Sequence, residues 1–259
     1  MSGAALVVHV PHTSTFMPEE TLGAFLLPRP ELERVASIMG DLYTDELFAY
    51  PSATMVVAPV SRLIVDVERF EDDGQEAMAS CGMGVIYTVT HDGQRLRPRL
   101  ETGQREALLD RWYRPHHARL EAAVTEVLAA SGSVLLVDAH SFPSRPLPYE
   151  DDQRSDRPEI CIGSDEWHTP AGLADAAVAW FAREGFTVAL NRPFAGSLVP
   201  MSRYRKDRRV LSLMVEVRRD LYLEEGGFGK GEGFGKLREV LGRFLGWIHT
   251  WEGMHGPAC

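Results

Sequence analysis

Histidines and carboxylates stand at the ends of several apolar segments of this chain. The segment ALVVHV leads into His12, and the segment SVLLVDAHS ends in Asp138, His140 and Ser141. A third segment, VLSLMVEV, carries Glu216 between two valines. Because the carboxyl ends of parallel strands meet at one edge of a sheet, we expect these side chains to converge there.

Two of the imidazoles and one carboxylate would make a ligand set for a metal ion. Catalytic zinc sites commonly use three protein ligands and leave one position open. His12 and His140 are the natural imidazoles, and Asp45 in the segment YTDELF is the candidate carboxylate. Glu216 would then serve as a general base and acid. Asp138, two residues before His140, is placed to fix the tautomer of that imidazole.

The same residues also have simpler structural interpretations. A histidine at the end of a strand is more often a turn or hydrogen-bonding residue than a ligand, and the chain has no HExxH or CxxC motif. Glu216, which alternates with its valine neighbours, fits a solvent-facing position on an edge strand. Residue spacing alone therefore leaves the metal site and the structural roles both open.

Strands and helices alternate along the sequence and must position these groups. Apolar segments predict strands over 4–10, 133–144, 158–164, 187–194 and 210–222, with further β segments over 54–70 and a hairpin around Asp92-Gly93. Helical periodicity marks 29–50, 104–131, 169–185 and 235–251. This order predicts one α/β domain over residues 1–259, with a mixed, mainly parallel sheet and helices on both faces.

Composition and charge narrow the range of functions. The formal net charge is -10 and the pI is near 5.4, so we expect neither nucleic acid nor an anionic membrane as a partner. The sequence shows no signal peptide and no transmembrane segment, which favours a cytoplasmic location. Cys81, Cys161 and Cys259 lack metal-type or redox-type spacing, which fits a reducing compartment.

Eight segments resemble, in the same order, the motifs of the N-formylglutamate amidohydrolase (N-formylglutamate deformylase) family. They are VPHTST, YTDELF, SRLIVDVERFEDD, HDGQRL, YRPHHARLEAAV, LLVDAHSFPS, ALNRPFAG and LMVEVRRDLY. Each segment alone is weak evidence. Together they cover residues 6–222, most of the chain.

The resemblance implies a zinc-carboxypeptidase-like hydrolase with a three-layer α/β/α fold. Members of the family split N-formyl-L-glutamate into formate and glutamate in histidine degradation, acting on a linear amide C–N bond. On the matching positions, His12 and His140 become ligands of one Zn²⁺ per chain. Asp45 becomes the third ligand, and Glu216 the general base and acid.

The resemblance also implies how a substrate is held. Arg62 and Arg69 would bind its carboxylates, since a guanidinium matches a carboxylate through two parallel hydrogen bonds. Asn191 would donate to a substrate carbonyl or carboxylate, while Asp138 and Ser141 would support the ligands. The expected partner is a small carboxylated amide, bound by a monomer or a small homo-oligomer.

Three positions depart from the family pattern. Ser14 stands in place of the usual glycine, Glu68 in place of the asparagine, and Ser197 where a histidine is expected. All three bear on the substrate pocket rather than on the predicted ligands. The alternatives are therefore a zinc peptidase or amidase acting on a peptide or peptidoglycan-type substrate, and a non-catalytic binding module on the same fold.

Overall fold

A six-stranded sheet forms the centre of the protein, whose computed structural model describes residues 5–251. The strands are β1 (Ala5–Val10), β2 (Ala53–Val57), β3 (Val134–Phe142), β4 (Ile160–Gly163), β5 (Val188–Leu190) and β6 (Val210–Arg218). Their order across the sheet is β2-β1-β3-β6-β4-β5. Only the β4–β6 pair of this sheet is antiparallel, which confirms the predicted mixed, mainly parallel arrangement.

The described chain contains six α-helices. They are α1 (Arg29–Met39), α2 (Thr44–Leu47), α3 (Thr102–Leu108), α4 (Arg114–Ser131), α5 (Leu173–Arg183) and α6 (Phe234–His249). Of these, α4 and α6 pack on opposite faces of the sheet. On one face, Leu120 of α4 packs in a cluster with Val7 and Leu136. On the other, Phe244 of α6 packs in a cluster with Val8. Successive strand residues point to opposite faces, so one sheet supplies two cores and the fold has three layers.

The alternation of side chains places the polar strand residues on the α4 face. His9 shares this face with Val7, and both Asp138 and His140 share it on the neighbouring strand β3. The parallel register of β3 and β6 sets His140 directly opposite Glu216. Every residue of β3 is buried, as expected for a central strand covered on both sides.

The segment 54–70 differs from the sequence prediction. Its strand ends at Val57, and most of the remainder forms turns. Leu63 and Ile64 are nonetheless fully buried, in a separate cluster with Val35 of α1. The apolar residues in the second part of this segment are therefore buried beneath α1 and do not form a second strand. The predicted hairpin at Asp92-Gly93 is likewise reduced to a single isolated bridge.

The long predicted helix over 104–131 is present in three joined parts. A π-helical turn, Leu109–Tyr113, connects α3 to α4 just before Pro115. The helical conformation continues through Tyr113 and Arg114, so Pro115 lies within a continuous helical segment, where its missing N–H interrupts the hydrogen-bond ladder next to the π-helical turn. Gly132 ends α4 with a φ of 78°, a left-handed conformation that favours glycine.

Within residues 5–251, no helix is both long enough and apolar enough to cross a lipid bilayer. Cys81 and Cys161 are free thiols. Cys259 and the first residue of the predicted strand 4–10 lie outside the described part of the chain.

Replacing Phe244 by alanine should test the core on the α6 face. Phe244 is fully buried and its ring centroid lies 4.5 Å from that of Phe181. We expect F244A to lower the free energy of unfolding by about 3–5 kcal/mol, because it leaves a cavity. Phe16 is 58% exposed, and F16A should change it by less than about 0.5 kcal/mol. Equal effects in chemical denaturation would contradict this packing.

Candidate active site

Two histidines and two carboxylates form a compact group at the carboxyl ends of β1 and β3. His12 follows β1, His140 lies near the end of β3, Asp41 follows α1, and Glu68 lies in the turns after β2. Asp41 Oδ2 lies 3.4 Å from His12 Nδ1 and 3.2 Å from His140 Nδ1. Glu68 lies 3.1 Å from His140 Nε2 and 3.9 Å from His12 Nδ1.

These atoms are close enough to hold one metal ion. One ligand atom from each of His12, Glu68 and His140 lies within 4.8 Å of the others. The imidazole of His12 gives the clearest indication of a ligand. Its Nδ1 is buried and has no hydrogen-bond partner in residues 5–251. An unpartnered buried acceptor is unfavourable, and a metal ion would satisfy it.

Asp66 fixes the orientation of His12. Its Oδ1 lies 2.9 Å from His12 Nε2, so the imidazole donates at Nε2 and keeps the lone pair of Nδ1 free. The other oxygen of Asp66 accepts hydrogen bonds from Arg62 Nη2, at 2.8 Å, and from the hydroxyl of Tyr87. Burial would raise the pKa of Asp66, but the Arg62 guanidinium and His12 hold it well below its usual value.

The two arginines predicted to hold a substrate lie in different environments. All three nitrogens of Arg62 donate within the protein, to Asp66, to the Tyr87 hydroxyl and to the carbonyl of Met39. Arg62 therefore supports Asp66 and is not free to hold a substrate carboxylate. Arg69 is partly exposed, and its Nε has no hydrogen-bond partner among the described residues.

Asp138 lies beside His140 and also binds two further groups. Its Oδ1 lies 3.3 Å from His140 Nε2 and 2.9 Å from His9 Nδ1. Its Oδ2 accepts the backbone N–H of Leu198 at 3.0 Å. His9 in turn contacts His116 of α4 at 2.9 Å. This chain of contacts fixes the ring of His140 from the side opposite Asp41.

Ser141 supports Asp41 rather than His140. Its hydroxyl donates to Asp41 Oδ1 at 3.2 Å and accepts from Arg219 Nε at 3.1 Å. Arg219 Nη2 also donates to Asp41 Oδ1, at 3.0 Å. Burial alone would raise the pKa of Asp41. Its contacts with His12, His140 and Arg219 hold the pKa well below the usual range instead.

Glu216 is buried within the sheet and not on a solvent-facing edge. It lies on β6 between β3 and β4, opposite His140 on one side and Cys161 on the other. Its Oε2 has no hydrogen-bond partner in the described chain. Burial, more than the nearby charges, raises the pKa of Glu216 to about 8. A carboxyl group with a pKa near neutrality is suited to both accepting and returning a proton.

Asp45 and Asn191 do not join this group. Asp45 accepts a hydrogen bond from the Thr13 hydroxyl at 2.7 Å. Asn191 is exposed, and its amide binds the backbone N–H and the hydroxyl of Ser164, at 2.8 and 2.9 Å. Asn191 holds the turn after β5, with a φ of 53° that asparagine tolerates well. Asp45 therefore lies outside the group formed by His12, Asp41, Glu68 and His140, and its role as third ligand stays a prediction.

Asp41, Glu68 and Arg219 belong to the site but were not chosen from the sequence. Asp41 lies four residues before Asp45, beyond the motif that suggested a ligand. Glu68 stood out only as a departure from the family pattern, although the spacing of Asp66 and Glu68 places two carboxylates close together. Arg219 follows the Glu216 strand and carried no signal of its own, because its partner Asp41 is distant in the sequence.

A cavity of about 400 Å³ opens beside the histidine–carboxylate group, since Glu68 and Asp138 form part of its wall. The wall also contains polar groups (Arg69, His117 and Ser197) and apolar groups (Phe70, Met201 and Met214). His117 Nε2 and Ser197 Oγ are buried without partners in residues 5–251. The wall therefore combines the guanidinium of Arg69 with the carboxylates of Glu68, Asp138 and Asp165 and with an apolar part.

The fold and site define an α/β protein with a buried histidine–carboxylate group at the carboxyl edge of its sheet. The sequence model of the N-formylglutamate amidohydrolase family matches residues 4–223, most of the chain. The chain therefore belongs to this family, as its eight motifs indicated.

Individual relatives agree with this assignment. A Pseudomonas aeruginosa PAO1 protein named N-formylglutamate deformylase is 26% identical over 180 residues, which cover 67% of this chain but only 65% of the relative. The crystal structure of N-formylglutamate amidohydrolase from Ralstonia eutropha JMP134 is 27% identical, with a TM-score of 0.81 over 96% of this chain and 95% of that one. An Agrobacterium tumefaciens gene product, 24% identical over 95% and 92% of the two chains with a TM-score of 0.62, shares the fold.

Removing the carboxylate of Asp66 should destabilise the protein strongly. D66A would leave the buried Arg62 without its main partner and His12 without an acceptor. We expect a loss of about 3–5 kcal/mol in the free energy of unfolding, typical of a broken buried ion pair. D45A removes a partly buried carboxylate with one hydroxyl partner and should cost less than about 1.5 kcal/mol. Denaturation in the presence of a chelator would measure both, and a D66A cost no larger than that of D45A would disprove the network.

Proposed function

We propose that this protein is a zinc-dependent amidohydrolase that cleaves the amide of a small N-formyl or N-acyl amino acid. N-Formyl-L-glutamate is the substrate that its family favours, which would give the protein a role in histidine degradation. The observation that carries the proposal is the meeting of His12, Asp41 and His140 beside Glu216. Glu68 and Asp138, which contact His140, connect this group to the cavity that Arg69 also lines.

The ligands that we propose for zinc are His12 Nδ1, His140 Nδ1 and Asp41 Oδ2. In each residue the other polar atom already has a partner. His12 Nε2 contacts Asp66, His140 Nε2 contacts Glu68 and Asp138, and Asp41 Oδ1 accepts from Arg219 and Ser141. Outer contacts of this kind fix ligand orientation in metal sites. Glu68 therefore orients His140 in this proposal, although its position also permits direct ligation.

Glu216 moves the proton in the proposed reaction. Zinc, when bound, supplies Lewis acidity and lowers the pKa of a bound water toward about 7. Glu216 Oε2 accepts a proton from the attacking water and returns it to the amide nitrogen as the C–N bond breaks. The products are then formate, or another carboxylate, and the free amino acid. The free Oε2 atom and the position of Glu216 directly opposite His140 support this role.

Arg69 is the group that we assign to the substrate carboxylate. Its side chain is partly exposed and lines the cavity, where a guanidinium can donate the paired hydrogen bonds that a carboxylate accepts. His117 and Ser197 offer additional polar contacts in the same cavity. Because Ser197 replaces an expected histidine, we propose the broader class of N-acyl amino acids alongside the N-formyl substrate.

The zinc affinities of variants at Asp41 and Asp45 should show which of the two carboxylates is a ligand. We expect D41N to weaken zinc binding by at least about 100-fold, because it removes a ligand, and D66N by about 10–100-fold through loss of His12 orientation. D45N should bind zinc within about twofold of the unaltered protein, since Asp45 contacts only Thr13 in this region. Competition with a chromophoric chelator would measure all three affinities. A larger loss in D45N than in D41N would restore Asp45 as the ligand.

Replacing Glu216 by glutamine should abolish turnover without removing the metal. We expect kcat for N-formyl-L-glutamate to fall by about 10²–10⁴-fold in E216Q, with zinc content unchanged. Formate release is the measurement, and an exposed glutamate change such as E239Q on α6 serves as the matched control. Full activity in zinc-loaded E216Q would refute the proton-transfer role.

The same assay separates the alternative functions. A zinc peptidase or amidase would hydrolyse peptides or peptidoglycan fragments faster than N-formyl or N-acyl amino acids. A binding module would bind them without turnover. Hydrolysis of N-acyl amino acids in preference to peptides is the result that our proposal requires.

A further inference from the structure

A second cavity, of about 460 Å³, is lined by four arginines. They are Arg95, Arg97, Arg99 and Arg105. None of the residues lining this cavity lines the cavity beside Glu68. An arginine-rich wall is unexpected in a chain with a net charge of -10, so the charge of this cavity is a local feature.

The sequence RLRPR produces the clustering. Leu96, between the first two arginines, is fully buried in the core cluster that contains Val35 of α1. Arg95 is exposed, whereas Arg97 is buried against the same cluster, with its guanidinium over the ring of Phe25. Both of them, and Arg99, contribute to the cavity wall.

Arg97 is a buried cation without a carboxylate partner in residues 5–251. It is 2% exposed, and its Nε donates to the backbone carbonyl of Tyr87 at 2.8 Å. The guanidinium carbon lies 4.4 Å from the ring centroid of Phe25, and Nη2 has no hydrogen-bond partner in that part of the chain. Burial lowers the pKa of Arg97 to about 9, which still leaves it charged at neutral pH. Burying a charge without a partner is energetically unfavourable, and a bound anion would offset that cost for Arg97.

Other protein groups do not neutralise the cavity. Asp73 is the one carboxylate in the wall, and its Oδ1 lies 3.9 Å from Arg105 Nη2. Arg105 also pairs with Glu106 at 3.5 Å. The positive charge of Arg95, Arg97 and Arg99 therefore remains available to a ligand.

We propose that this cavity binds a phosphate group, either free phosphate or that of a small phosphorylated molecule. Guanidinium groups donate paired hydrogen bonds to phosphate oxygens, and three uncompensated arginines match a dianion better than a single carboxylate. Ile86, Val89 and Leu100 add an apolar side to the wall, which gives an organic ligand a surface to contact.

Calorimetric titration of the full, metal-loaded chain with inorganic phosphate tests this site. We expect saturable binding of one phosphate per chain, weakened at least about tenfold in both R97Q and R99Q. Arg99 is exposed, so R99Q should keep the fold even if R97Q does not. R183Q, an exposed arginine on α5 outside this cavity, is the matched control and should bind as the unaltered chain does.

Two further titrations, one with the R69Q variant and one with other anions, identify the binding site and the ligand. Phosphate bound through Arg69 would be lost in R69Q but kept in R97Q and R99Q, and that pattern would overturn the proposal. So would the absence of saturable binding, or binding of succinate without phosphate. Tighter binding of glycerol 3-phosphate than of inorganic phosphate would point to a phosphorylated metabolite, and the reverse order to the free ion.

Discussion

The concentration of buried carboxylates around two imidazoles is the physical constraint on which the rest of this structure depends. Five acidic side chains converge at the ends of the central strands: Asp41, Asp66, Glu68, Asp138 and Glu216. Like charges in a region of low dielectric repel each other strongly, and each charge also loses its hydration. Arg62, Arg69 and Arg219 offset part of this charge. A divalent cation between the histidines would offset more, so metal binding would also stabilise the fold.

The central sheet fixes the relative positions of these imidazoles and carboxylates. The register of β3 and β6 fixes Glu216 opposite His140, and the alternation of strand side chains sends both to the α4 face. The His9–Asp138 contact then links β1 to β3 on that same face. Since these residues belong to strands buried on both sides, their positions are set by the packing of the whole domain rather than by a mobile loop.

Burial and internal hydrogen bonds decide which of the two neighbouring arginines, Arg62 or Arg69, can contact a substrate. Arg62 and Arg69 belong to one short segment and both approach Asp66. The nitrogens of Arg62 donate to Asp66, Tyr87 and Met39, whereas the partly exposed side chain of Arg69 lines the cavity. Arg97 is buried and, unlike Arg62, has no carboxylate partner in residues 5–251, and this difference is the basis of the proposed anion site.

The sequence by itself determined the fold class, the main strands and the family, because apolar patterning and motif order are local properties of the chain. It also singled out His12, His140, Glu216 and Asp138, which stand at strand ends where parallel strands must bring side chains together. Tertiary structure alone decided the partner of each residue. Asp41 rather than Asp45 meets the imidazoles, since the short turn between α1 and α2 sets which carboxylate faces β1 and β3. No local pattern encodes that contact, because it depends on the packing of segments far apart in the chain.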